Sequence, residues 1–218
     1  MPAGTTTIGI VRLAWGDPGS FDRARAERLL GPAERERATR IALPDRRARF
    51  LLGRLLARDL AAAAGGLRAE DVTVTAVCER CGREHGRPRL RWPDAAGPPP
   101  EVGLASCPGL VIAALAPAGV RVGVDVERPS AAHGDDRTRR ADLAAVLGGS
   151  PRTVVRRWVR AEAALKADGR GLREDPASVV VHGTIARIAA EPTPYRLIDR
   201  RIAGGLVSVA VGPVPPPG

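Results

Sequence analysis

The chain has 218 residues, 44% of them apolar and 27% charged, and carries a formal net charge of +10. This length accommodates one large domain or two of about 110 residues, and aromatics make up only 3%, so a core must be packed from Ala, Val, Leu and Ile. No apolar run approaches the ~20 residues that span a bilayer, and Met1 to Pro18 lacks the charged-then-apolar layout of a signal peptide, which argues against a membrane partner.

Three cysteines, an odd number in a chain this long, argue for a reducing compartment, and a cytoplasmic protein is expected. The positive charge suits nucleic acid, an anionic cofactor or an acidic protein. The basic residues are scattered through periodic segments, and there are too few aromatics for a base-stacking platform, so nucleic acid ranks last of the three.

In chain order, Thr5 to Leu13 alternates as a strand, Phe21 to Leu30 is a short helix, and Pro32 begins another. Asp45 to Ala64 is the longest helical pattern of the first half. Phe50, Leu51, Leu55, Leu56 and Leu60 form its apolar stripe, and Gly65-Gly66 stops it. Val72 to Val77 reads as a strand. Cys78, Cys81 and His85 then offer three closely spaced metal donors, with Cys107 or His133 as distant fourth ligands. A structural zinc has four clear ligands, and a loop leading to Gly86-Arg87-Pro88 is the preferred reading. Pro93 to Pro100 is a loop, Val102 to Ser106 and Leu110 to Ala116 are strands around Pro108-Gly109, and Pro117-Ala118-Gly119 marks a boundary. The halves are thus residues 1–118 and 119–212, with 213–218 a disordered tail.

The second half repeats the order: strand Val120 to Glu127, a helix from about Arg139 to Leu147, a long helix from Ser150-Pro151 to Gly169, and strands Ser178 to His182, Tyr195 to Ile198 and Leu206 to Val211. Strand, helices, then strands in each half predict a pseudo-twofold α+β protein.

The most informative stretch runs from Val120 to Lys166. In Val122-Gly123-Val124-Asp125-Val126-Glu127 the carboxylates of Asp125 and Glu127 share one strand face while Val124 and Val126 share the other. Burying two carboxylates costs several kcal/mol of hydration each, about what a divalent cation can offset. On the following helix Glu162 and Lys166 are four residues apart and share a face. Three oxygen donors with room for water and phosphate suit Mg²⁺ and not zinc. Of 34 basic residues, Lys166 alone is lysine, and lysine, unlike arginine, can exchange a proton when its surroundings tune it.

Val-Gly-Val-Asp-Val-Glu followed by Trp158-x-x-x-Glu162-x-x-x-Lys166 resembles the paired signature of the 4'-phosphopantetheinyl transferases, specifically the surfactin-type members built from two similar halves in one chain. The resemblance implies two subdomains, each with a long helix on a small antiparallel sheet, and coenzyme A bound between them. It implies transfer of the 4'-phosphopantetheine arm to a serine of an acyl or peptidyl carrier protein by a monomer, with release of 3',5'-adenosine bisphosphate. Asp125, Glu127 and Glu162 would hold Mg²⁺, Glu162 would also take the serine proton, and Lys166 would neutralise the leaving phosphate. Arg37 and Arg87 match the family's basic phosphate contacts. Arg49 in the long helix and Ser106 ahead of the central strand are further candidates for coenzyme A contacts.

Two positions depart from the family pattern. Ser106-Cys107-Pro108 stands where Ser-His-Ser is common, and Ala161 stands where a lysine commonly precedes the acid. These departures motivate the alternative of a diverged member that binds coenzyme A or a carrier protein without transfer.

Overall fold

A computed structural model describes residues 4–128, 135–147, 150, 153–189 and 191–212. The expected start of the long helix at Pro151, the distant donor His133 and the tail 213–218 lie outside the described residues. The chain is α+β and divides into two compact units, Met1–Val120 and Arg121–Gly218. Among the described residues no helix is long and apolar enough to cross a membrane.

The first unit opens with strands β1 (Gly4–Ile8) and β2 (Val11–Gly16), followed by helices α1 (Arg23–Leu29), α2 (Pro32–Arg40) and α3 (Pro44–Gly65). Strands β3 (Thr73–Thr75), β4 (Arg89–Arg91), β5 (Glu101–Cys107) and β6 (Leu110–Ala116) complete it. The single strand expected over Thr5 to Leu13 is instead the β1–β2 hairpin, with Ile8 paired to Val11. Gly9 has φ 60°, the left-handed value that a two-residue turn led by glycine requires, and exposed Ile10 forms the tip.

The main sheet is antiparallel in the order β1-β2-β6-β5, and β3 pairs with β4 alone. Leu52, Leu56 and Leu60 of α3 bury against Val111, Ala113 and Leu115 of β6, and Pro44 and Gly66 bound that helix as a favourable first residue and a left-handed cap. Strand β3 is shorter than expected because Ala76 leaves the ladder: its N–H donates to the Glu84 carboxylate at 2.7 Å and its carbonyl accepts from Gly86 at 2.6 Å.

The second unit contains β7 (Val122–Glu127), α4 (Asp135–Leu147), α5 (Val154–Asp168), β8 (Val179–His182), β9 (Ile185–Ile188), β10 (Glu191–Ile202) and β11 (Gly205–Val211). Its antiparallel sheet runs β7-β11-β10-β9-β8. Helix α4 starts four residues before the expected Arg139. Strand β9 was not expected, because the short run after Gly183-Thr184 is hidden behind a turn in which Gly183 takes φ 58°. Strand β10 extends past the expected Ile198 to a turn at Ala203-Gly204.

Helix α5 lies unusually close to β7. A β-carbon on Gly123 would sit 2.1 Å from the Ala163 carbonyl and 2.3 Å from the Ala167 nitrogen. The alanines Ala161, Ala163, Ala164 and Ala167 keep this helix thin where it meets the sheet, and they pack with Tyr195, Leu197 and Ala210. Two polar clamps fix its position along the sheet. Arg156 and Arg160 bind Asp199 of β10 at 2.7 and 2.8 Å, and at the other end the Tyr195 hydroxyl donates to Asp168 at 3.2 Å.

Gly123→Ala should therefore lever α5 off β7. We expect a loss of about 3 kcal/mol of stability, read as a lowered denaturant midpoint, and an unchanged midpoint would show that the close approach is not maintained in solution.

Candidate functional site

Because Gly123 faces α5, strand alternation turns Asp125 and Glu127 to the same side. Asp125 lies opposite Ser208 of β11, and its Oδ1 accepts from the Lys166 ammonium at 2.6 Å. Glu162 reaches this edge of the helix only 4% exposed, and its Oε1 has no hydrogen-bond partner. Burial pushes the Glu162 carboxyl up to about 7; the Lys166 ammonium pulls it down, while Asp125 and Glu127 push it further up. The expected quartet of three acids and one ammonium thus forms one electrostatic cluster. Lys166 makes its hydrogen bond to Asp125 on the strand and acts on Glu162 through its charge alone.

An orphaned buried carboxylate oxygen beside two further acids fits a hard divalent cation by donor chemistry. The fit in distance is looser. Mg²⁺ takes oxygens at about 2.0–2.1 Å, which places any two ligands within roughly 4.2 Å of each other. Among the described residues the only three His, Cys, Asp or Glu with ligand atoms mutually within 4.8 Å are Cys78, Cys81 and His85. The carboxylates of Asp125, Glu127 and Glu162 as they stand are therefore not all within direct reach of one ion.

The sequence departure at Ala161 has a structural reason. This residue is fully buried in the helix–sheet core, where a lysine side chain would have to bury its charge. Cys107 is likewise buried, at the end of β5, while its neighbour Ser106 is exposed on that edge strand.

The basic residues assigned to phosphate lie in the first unit in different settings. Arg37 stands over the Phe50 ring at 5.2 Å, and burial lowers its pKa. Arg49 is paired with Asp45 at 2.9 Å, and Arg87 with Glu101 at 2.9 Å. The sequence reading did not single out Glu34, Arg54 and Arg58, which form a buried charge group. Arg58 Nη2 donates to Glu34 Oε2 at 2.5 Å, and Arg54 stands 3.1 Å from Glu34 Oε1. Arg54 also lies 4.9 Å over Phe50. Burial lowers the Arg54 pKa to about 10, with Glu34 opposing the fall and Arg37 and Arg58 adding to it. Glu34 thus faces Arg54 and Arg58, while the charge of Glu84 acts on Arg37 and Arg54. The available signal was the i,i+4 spacing of Arg54 and Arg58 on the apolar side of the long helix, where unpaired charge is costly.

The third cluster lies in the loop between β3 and β4. Cys81 Sγ is 2.9 Å from His85 Nε2. Hydrogen bonds from the Arg83 backbone and side chain, and then from His85, hold the Cys81 thiol down to about 6.

Compared with known proteins, the chain matches no family model and no curated relative.

Two predictions follow from these charges. Glu34→Gln leaves Arg54 and Arg58 buried without their acid, and the fold should lose about 3–5 kcal/mol; a near-neutral effect in chemical denaturation would show that solvent or another acid compensates. The second concerns Glu162, whose folded pKa near 7 exceeds its ordinary 4.5. An acid raised on folding stabilises the fold below its unfolded pKa, and that stability is lost as pH rises through the folded pKa. The loss should amount to about 3 kcal/mol. Glu162→Gln should abolish it, so wild-type and variant denaturant midpoints should separate between about pH 5 and pH 8, with the variant the more stable at the upper end. Parallel curves would mean that Glu162 is ionised throughout.

Proposed function

We propose that this chain is a Mg²⁺-dependent 4'-phosphopantetheinyl transferase of the two-half, pseudo-twofold type. The observation that carries this reading is Glu162, buried, short of a partner, and raised to about 7 beside Asp125, Glu127 and Lys166. These four residues are also the ones on which the family resemblance rests.

A divalent ion held by the acids would neutralise pyrophosphate charge and orient the β-phosphorus. Glu162 is the proposed general base, and accepts the proton of the carrier serine hydroxyl. The serine oxygen bonds to the β-phosphorus of coenzyme A as the bond from that phosphorus to the bridging oxygen breaks. The electron pair leaves with 3',5'-adenosine bisphosphate. Lys166 offsets the charge that develops on that leaving phosphate. Arg37, Arg49, Arg87 and Ser106 are the proposed contacts for the phosphates of coenzyme A. An acidic carrier protein matches the +10 chain electrostatically.

The looser spacing of the carboxylates favours a second reading, a protein that binds coenzyme A or a carrier without transferring the arm. Intact-mass spectrometry of apo carrier proteins incubated with coenzyme A and Mg²⁺ decides between them. Transfer should add one phosphopantetheine arm, vanish with a chelator, and slow by at least about 100-fold in Glu162→Ala. No added mass on any of several carriers, with coenzyme A binding still seen by calorimetry, would establish the second reading.

A further inference from the structure

The loop between β3 and β4 takes no part in the proposed transfer. It spans residues 76–88, and the strands that it joins pair over only three residues each. It has almost no core of its own: Ala76 is buried, while Val77, Cys81, Gly82, Arg83 and His85 are exposed. A loop of this length closed by so short a ladder needs a further tie.

Its backbone is nonetheless tightly organised. Cys78 N–H donates to the Arg83 carbonyl and Gly82 N–H to the Cys78 carbonyl, each at 2.8 Å. Gly82 takes φ 68°, which reverses the chain just after Cys81. The two arms of the loop touch at Gly86, where a β-carbon would lie 2.4 Å from the Val77 carbonyl oxygen. These backbone contacts carry Cys78, Cys81 and His85 to one side, with two sulfurs and one imidazole nitrogen all within 4.8 Å of one another.

We propose that Cys78, Cys81 and His85 bind a zinc ion that ties the β3–β4 loop. Two thiolates and a neutral imidazole are zinc's preferred donors, and two residues between the cysteines is the usual spacing of a structural site. Tetrahedral bonds of about 2.3 Å to sulfur and 2.0–2.1 Å to nitrogen set those atoms roughly 3.5 Å apart. The Cys81–His85 pair at 2.9 Å needs only a small rotation to admit the ion. Among the described residues no fourth His, Cys, Asp or Glu joins these three, so the fourth tetrahedral position falls to water. Glu84 raises the pKa values of Arg37 and Arg54 by its charge, so an ion that fixes this loop also fixes an acid beside the buried arginines.

The test is metal analysis of untagged protein purified under reducing conditions, followed by Co²⁺ titration of chelator-treated protein with optical detection. One zinc per chain is expected, with thiolate-to-cobalt charge-transfer bands and the strong visible bands of a tetrahedral site. Cys81→Ser and His85→Ala should each weaken zinc binding by more than tenfold. Glu162→Ala should keep the full zinc content, which separates this site from the acids of the proposed transferase and leaves the outcome independent of that reading. Limited proteolysis should cut within residues 76–88 faster after zinc removal, a readout that holds even if a cysteine variant folds poorly. Zinc well below one per chain together with no cobalt–thiolate bands would overturn the proposal, as would a Cys78–Cys81 disulfide in the freshly purified protein.

Discussion

The second unit depends on the approach of α5 to β7 at Gly123. With a β-carbon there, the Ala163 carbonyl and the Ala167 nitrogen could not lie where they do, and the helix would ride higher on the sheet. That height decides the chemistry of the edge. At the observed distance the Lys166 ammonium reaches Asp125, and Glu162 is carried below the surface with one oxygen unpaired. The Arg156 and Arg160 clamp on Asp199 and the Tyr195 bond to Asp168 then hold the helix against sliding. Small residues set the spacing, polar pairs set the register, and the acids are displayed as a result.

Both units bury charge, and the difference in compensation separates an over-supplied acid from an under-supplied one. Glu34 has two guanidinium partners within 3.1 Å and a bond from the Gly31 N–H. Its burial is offset several times over, and the surplus is positive. Glu162 has two acids and one ammonium for neighbours, with that ammonium bonded elsewhere. The surplus there is negative, and burial raises its energetic cost because the low local dielectric strengthens every unbalanced interaction. A fold tolerates such imbalance where a ligand of the opposite sign settles it.

Much of the architecture was legible from local signals. The stripe from Leu51 to Leu60, its glycine stop and the Val-Gly-Val-Asp-Val-Glu alternation gave α3 and β7 nearly to their ends, because apolar period and breaker residues agree there. Elements framed by single-glycine turns were less visible. Gly9 splits one apparent strand into β1 and β2, and Gly183 hides β9, since period alone does not reveal a chain reversal. Among the site residues, Asp125, Glu127, Glu162 and Lys166 were readable from strand alternation and helix spacing. The partner choice of Lys166 was not, because it depends on how near the helix comes to the sheet. Arg54 and Arg58 were hidden for a different reason: in a chain with 33 arginines, a buried guanidinium leaves no compositional mark, and only their place on the apolar side of α3 points to them.

That same arginine excess makes the one lysine instructive. A guanidinium at position 166 would present a planar fork of donors, able to bond Asp125 and a second acceptor together. With Asp125 and Glu162 both near, such a fork would pair the orphaned oxygen of Glu162 while leaving the net charge of the cluster unchanged. An ammonium is a compact point charge. It satisfies Asp125 at 2.6 Å and leaves Glu162 raised, with its Oε1 unpaired. Lysine is therefore the basic residue that tempers this cluster without saturating it, so Glu162 keeps a proton to exchange near neutral pH.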